Sequence, residues 1–78
     1  MMVKIVLLDN NSEEVTYQIV NHDINKIVNS ITVDKQSKKY HLSNGNEISN
    51  NFEANAYRLI LGAIERNIYP QKATRGWG

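Results

Sequence analysis

The chain has 78 residues, of which 41% are hydrophobic and 22% are charged, and its formal net charge at pH 7 is +1. A chain of this length forms one domain and buries only about 60% of the surface that its unfolded form exposes, so a deep enclosed active site is not expected. The balanced charge gives no global field that would drive non-specific binding to nucleic acids or membranes. Cysteine is absent, which excludes disulfides and cysteine-ligated zinc.

The amino-terminal apolar run is short. It extends from Val3 to Leu8, contains Lys4 and ends at Asp9, so it is too short for the hydrophobic region of a signal peptide or for a membrane span. Together with the absence of cysteine, this predicts a cytoplasmic protein. Asn is frequent, which is typical of an AT-rich genome such as that of a phage or another mobile element.

The first half of the chain has the residue pattern of β-strands. In residues 3–8 apolar side chains cover much of both faces, which predicts a strand that is not at a sheet edge. Apolar and polar residues then alternate in residues 15–19, 27–33 and 40–42, as in half-buried strands. Asn44-Gly45 is a strong turn signal, because both residues accept positive φ. Glu47-Ile48 forms either a brief fifth strand or the approach to a helix.

A C-terminal helix is the clearest element. Asn50 is the predicted N-cap, Glu53 follows it in a capping-box arrangement, and Pro70 ends the helix. The sequence therefore predicts an α+β fold in β-β-β-β-α order, with an antiparallel meander of about four strands packed by one helix. We expect residues 1–70 to form this single domain and residues 71–78 to form a flexible, basic C-terminal tail.

The predicted helix carries more apolar surface than one flat sheet covers. At about 100° per residue, its apolar side chains form two stripes that together span roughly 200°. Ile60 lies between the stripes, which consist of Phe52, Ala56, Leu59 and Ala63 on one side and Tyr57, Leu61, Ile64 and Ile68 on the other. Either a strongly twisted sheet covers both stripes, or the second stripe contacts another chain, in the simplest case a second copy in a homodimer.

No group of residues predicts catalysis. His22 and His41 are the two imidazoles of the chain, and neither accompanies a nucleophile in a known arrangement. The carboxylates form no obvious acid–base pair, and the glycines form no phosphate-binding loop. We therefore expect no catalytic residue, no metal site, no cofactor and no enzymatic activity.

Basic residues occur in two clusters, which leads to an alternative function. The first cluster precedes the fourth strand and the second lies in the tail, and their members are Lys35, Lys38 and Lys39, and Lys72 and Arg75. If the clusters converge, they form a phosphate-binding patch next to Trp77, which could stack on a base. Otherwise the lysines keep an exposed turn soluble and protect a sheet edge from pairing.

The sequence thus favours a small non-enzymatic accessory or inhibitor module that occupies a surface of a protein partner and could also self-associate through its helix. Trp77 either packs on the domain itself or anchors that partner. The predicted partner-binding residues are Tyr57, Leu61, Ile64, Ile68 and Trp77. The alternative is a nucleic-acid-binding module that uses Lys35, Lys38, Lys39, Lys72 and Arg75.

Overall fold

The structure is a computed structural model that describes residues 1–78. Its elements are β1 (Met2–Asn10), β2 (Glu14–Asn21), β3 (Lys26–Asp34), β4 (Tyr40–Leu42), α1 (Asn51–Arg66) and β5 (Lys72–Gly76). The five strands form one antiparallel sheet in the order β4-β3-β2-β1-β5. The predicted α+β fold is confirmed, with one strand more than expected.

The core lies between α1 and one face of the sheet. Because side chains alternate between the two faces of a strand, every second residue of the long strands points toward the helix. Most of these positions are apolar and buried, and together with Leu42 of β4 and two helix residues they form a core cluster of 10 residues: Val3, Ile5, Val15, Tyr17, Ile19, Ile31, Val33, Leu42, Ala56 and Ile60. β1 lies between β2 and β5, which confirms that the first strand is not at an edge.

A β-bulge in β3 changes which residues face the helix. Ile19 pairs with Asn29, but Val20 pairs with Ile27, so Val28 is an extra residue in the ladder. Ile27 therefore lies on the outer face and is 66% exposed, whereas Asn29 is buried on the helix side. The even spacing of residues 27–33 had placed both on one face, because a bulge leaves no mark in the alternation of residue types.

The helix begins as predicted but ends earlier. The side chain of Asn50 accepts a hydrogen bond of 2.9 Å from the backbone N–H of Glu53. The last helical residue is Arg66, well before Pro70, because Asn67 adopts a left-handed conformation with φ of 54°, which Asn tolerates better than most residues. The N–H of Ile68 then bonds to the carbonyl of Ala63 at 3.1 Å, so Ile68 lies beyond the helix.

Residues 72–76, which the sequence assigned to a flexible tail, form β5. Each of them pairs with a residue of β1, from Val6 opposite Lys72 to Met2 opposite Gly76. Beyond β5, the N–H of Trp77 donates to the carbonyl of Met1, and the amino group of Met1 donates to the carbonyl of Trp77, both at 2.9 Å. Glu47 and Ile48 form no strand and connect β4 to α1. The one helix lacks the length and hydropathy needed to cross a membrane.

Candidate functional site

The sequence allows either that the sheet covers both stripes of α1 or that the second stripe is open to another chain. The structure lies between these two arrangements. The residues buried against the sheet are Glu53, Ala56, Ile60 and Ala63, so the helix meets the sheet through Ile60, between the two predicted stripes, and through the two alanines of the first stripe. Tyr57, Leu61 and Ile64 are half-buried at the side of the core, and Ile68 is 62% exposed. We call these four residues the helix flank. The sheet covers part of this surface and leaves the rest open.

Tyr57 connects the helix flank to the edge of the sheet. Its hydroxyl donates a hydrogen bond to the carbonyl of Lys38, and its ring lies 5.1 Å from the ring of Tyr40 at 58°. The hydroxyl of Tyr40 in turn accepts a hydrogen bond of 3.0 Å from the backbone N–H of Ile48. These contacts hold the helix, β4 and the β4–α1 connection in one arrangement.

A groove of about 550 Å³ lies beside β4. It is lined by residues 37–42 on one side, by residues 45–47 on the other, and by Tyr57 from the helix flank. Gly45, with φ of 76°, makes the tight turn that separates the two walls, which few other residues could do without strain. We call this feature the β4 groove.

Unpaired backbone groups of β4 point into this groove. Lys39 and Ser43, on either side of the strand, bond to β3 through a backbone oxygen and a backbone N–H at 2.9 and 3.0 Å. Because the direction of backbone hydrogen bonds alternates along an antiparallel strand, Tyr40 and Leu42 direct theirs away from β3. The carbonyl of Leu42 accepts a bond of 2.9 Å from Gly45. The N–H of Tyr40, the N–H of Leu42 and the carbonyl of Tyr40 therefore remain open to a ligand.

The opposite edge of the sheet is also open. Gln71 and Trp77 flank β5, and they bond to Leu7 of β1 and to Met1, just before β1, at 2.8 and 2.9 Å. By the same alternation, the backbone groups of Lys72, Thr74 and Gly76 point away from the sheet. All three residues are exposed, and β5 is the last strand in the sheet order.

The basic residues of the two predicted clusters are distributed over both edges and both faces of the sheet. Lys38 and Lys39 lie beside β4, and Lys72 and Arg75 lie on β5 at the other edge. Within β5, two residues that are three positions apart point to opposite faces. The structure therefore does not unite the clusters into one surface.

Two of these basic side chains already have partners within the domain. The ammonium of Lys35 lies 4.4 Å from the centroid of the Tyr69 ring and donates to the carbonyl of Asn11. The guanidinium of Arg75 donates to the side chain of Asn55 at 2.8 Å. Lys35 and Arg75 thus connect neighbouring segments of this chain.

Asp34 fixes the turn that carries the first basic cluster. Its carboxylate accepts hydrogen bonds from the backbone N–H groups of Ser37 at 2.8 Å and Gln36 at 2.9 Å. These bonds stabilise the charged form and lower the pKa of Asp34, with that from Ser37 contributing most. The carboxylate therefore holds the turn in the conformation that places Lys38 beside Tyr57.

Trp77 packs on the domain itself. It is half-buried, and its ring meets the ring of Phe52 edge-on, with centroids 4.9 Å apart and an angle of 79°. Such a pair stabilises the fold by roughly 0.5–1.5 kcal/mol beyond area burial. The structure separates Trp77 from the helix flank, since Phe52 belongs to the other predicted stripe.

A buried polar cluster that no pattern in the sequence predicts lies at the start of α1. Glu53 is 3% exposed, and its carboxylate accepts hydrogen bonds from the side chain of Asn29 at 3.2 Å and the backbone N–H of Ser49 at 3.0 Å. Asn29 also accepts from the Ser43 hydroxyl. The capping-box pattern located Glu53, but the bulge that turns Asn29 toward it has no sequence signal. The cluster joins the helix to β3 and to the residue that follows β4, and every buried side-chain polar atom has a partner.

The two histidines, His22 and His41, are exposed, and no three His, Cys, Asp or Glu residues are grouped in a way that could hold a metal ion. Comparison with models of protein families, with characterised proteins and with solved structures finds no match.

Proposed function

We propose that the chain is a non-enzymatic protein-binding module that occupies a surface of a larger partner through the helix flank and the adjoining β4 groove. The observation that carries the proposal is the position of Tyr57, which belongs to the helix flank and also lines the groove. Apolar side chains and open backbone groups are therefore contiguous, and a single segment of a partner could engage both.

An extended segment of the partner fits this surface best. It would add to β4 by bonding to the open groups of Tyr40 and Leu42, as in other complexes in which a peptide joins a sheet edge. Side chains on its inner face would cover Leu61 and Ile64, which half-burial leaves partly in water. Acidic groups on the same segment would lie near Lys38, which lines the groove.

The nucleic-acid alternative receives less support from the geometry. Binding to phosphates depends on several cations that act on one nucleic-acid backbone. Lys38 lies just before β4 and Lys72 lies in β5, at opposite edges of the sheet. Lys35 and Arg75 also make contacts within the domain. This alternative remains an outcome of the test below.

The test uses short random peptides displayed on phage, selected against the complete chain. Peptides that bind are then measured against Ile68→Glu and against Ile27→Glu. Ile27 is the matched control, because the two isoleucines are 62% and 66% exposed, while Ile27 lies on the outer face of β3 and Ile68 follows the end of α1. We expect Ile68→Glu to weaken binding about tenfold or more and Ile27→Glu to leave it unchanged. Both residues are exposed, so neither change should unfold the domain.

Two results would contradict the proposal. Loss of peptide binding with Ile27→Glu but not with Ile68→Glu would place the binding surface on the outer face of the sheet. Binding of a single-stranded oligonucleotide that weakens steeply with added salt, with no peptide selected, would favour the nucleic-acid alternative. Leu61→Glu is a poorer test, since Leu61 packs against the core and its replacement also destabilises the fold.

A further inference from the structure

We propose that two copies of this chain associate through β5, with the two strands antiparallel about Thr74, and so form one continuous sheet across a two-fold axis. The occupant of the β5 edge is thus a second copy of the chain. This inference goes beyond the proposed function, because it uses the edge of the sheet opposite to the helix flank and the β4 groove. It also differs from a homodimer through the helix.

The open groups of β5 supply the hydrogen bonds. Lys72, Thr74 and Gly76 present an N–H and a carbonyl each on the outer side of the strand, as the bonds of Gln71 and Trp77 to β1 imply. In a copy related by a two-fold axis at Thr74, the same N–H and carbonyl groups face those of the first copy. Six backbone hydrogen bonds then form if all three residues pair. Proline is one of the usual protections of a sheet edge against pairing, and β5 contains none.

The residue types of β5 complement themselves in this register. Lys72 stands opposite the partner's Gly76, Ala73 opposite the partner's Arg75, and Thr74 opposite the partner's Thr74. Each cation thus faces a small, uncharged residue. Like charges directly opposite one another destabilise a pair of strands, and this register has none.

Neighbouring registers are less favourable. A shift that centres the axis on Arg75 places two guanidinium groups opposite each other, and a centre on Lys72 does the same with two ammonium groups. A centre on Ala73 leaves Gly76 opposite Pro70, which has no N–H to donate. Of these four centres, the sequence of β5 therefore favours Thr74.

Thr74 faces its own copy at the axis, and two threonines also face each other within the sheet. Thr16 and Thr32 stand opposite each other on neighbouring strands, and their hydroxyls are 2.8 Å apart. Thr74 pairs with Lys4, which pairs with Val20, and Val20 and Thr16 lie on the same face of β2. The two Thr74 side chains thus lie on the same outer face, in a hydrogen-bonded pair whose side chains are farther apart than those of the non-hydrogen-bonded pair Thr16 and Thr32.

The proposed dimer leaves the helix flank and the β4 groove free. β4 lies at the far edge of each sheet, so the two grooves are at the ends of the continuous sheet. A partner that offers two sites would bind both copies, and its apparent affinity would rise through the effective concentration of the second site.

The test introduces a like-charge pair and then removes it. Gly76→Lys places a lysine opposite the partner's Lys72 twice in each dimer, and the monomer accepts it, since a Cβ at Gly76 meets its nearest atoms at 3.5 Å and 3.8 Å, which are ordinary contacts. Lys72→Glu added to Gly76→Lys makes the pairs complementary. Sedimentation equilibrium over a range of concentrations measures the three chains at low salt.

We expect the unaltered chain to reach about twice its monomer mass of 8.9 kDa, the single variant to dissociate roughly tenfold more readily, and the double variant to recover. Circular dichroism checks that all three are folded. A monomer at every concentration overturns the proposal, and so does a dimer that Gly76→Lys leaves intact. A dimer that dissociates only with Ile68→Glu would place the interface on the helix flank instead.

Discussion

The two edges of the sheet are held in place by different means. β4 has three residues, and one of them, Leu42, is 1% exposed and belongs to the core cluster. β5 has five residues, and none of them is buried. β5 is held by its backbone pairing with β1, by the hydrogen bond of Arg75 to Asn55, and by the contacts of the flanking residue Trp77 with Phe52 and Met1. A short strand with a buried side chain and a longer strand without one thus occupy equivalent positions.

This difference explains which strand the sequence could predict. The side chains of Tyr40 and Leu42 pack toward the core, so these residues alternate with polar ones. The residue pattern therefore predicts the short strand. Residues 72–76 contain one apolar side chain, Ala73, and backbone pairing does not depend on side-chain type. A strand that is defined by its partner has no periodic pattern of its own.

The largest expected effect comes from removing the buried side chain of β4. Leu42→Ala deletes a core residue, and we expect a loss of about 3 kcal/mol in the free energy of unfolding. His41→Ala, at the exposed position beside it, should change stability by less than about 0.5 kcal/mol. Urea denaturation measures both. Equal effects would mean that the side chain of Leu42 does not anchor the strand.

A comparison of two prolines tests how β5 is held. Ala73→Pro removes an N–H that points to β1, and we expect a loss of about 2 kcal/mol. Thr74→Pro removes an N–H that points to solvent in the monomer, and the expected loss is below about 1 kcal/mol. The measurement is thermal unfolding at a concentration low enough to keep the chain monomeric. A larger effect of Thr74→Pro would reverse the assigned orientation of β5.

One hydrogen bond from the core reaches the segment between α1 and β5. The hydroxyl of Tyr17 donates to the carbonyl of Pro70 at 2.7 Å, so Tyr17→Phe should cost about 1 kcal/mol. Burial, followed by the nearby phenol of Tyr69, raises the pKa of Tyr17. The folded chain therefore holds this proton more tightly than the unfolded chain, and stability should fall as the pH rises above about 10. Tyr17→Phe should reduce that fall in unfolding experiments, and an unchanged pH profile would contradict this assignment.

The smallest effect concerns the turn beside β4. Because the pKa of Asp34 lies below its ordinary value of 3.8, the stabilisation by its charged form is present at neutral pH and is lost as the pH falls through the pKa of the folded state. Asp34→Asn keeps an oxygen acceptor for the turn and removes this titration. We expect a shallower acid-unfolding profile with little change at pH 7. A profile identical to that of the unaltered chain would show that Asp34 does not contribute.

Local patterns in the sequence were sufficient for much of the candidate site and insufficient for its geometry. The helical periodicity placed Tyr57, Leu61 and Ile64 on one side of α1, where they form most of the helix flank. Ile68 continued that periodicity but lies beyond the helix, because Asn67 ends it in a left-handed conformation. The β4 groove could not be predicted, since it depends on the path of residues 45–47 beside a strand with which they do not pair.

The most direct test of the contrast between the edges is amide hydrogen exchange, resolved by residue with NMR, at low and high protein concentration. In the monomer, Ala73 should be protected, whereas Thr74 and Leu42 should exchange fast, because their N–H groups point away from the sheet. With increasing concentration, Thr74 should become protected and Leu42 should stay fast, as association through β5 requires. Fast exchange of Thr74 at every concentration, or protection that develops at Leu42 instead, would contradict this account.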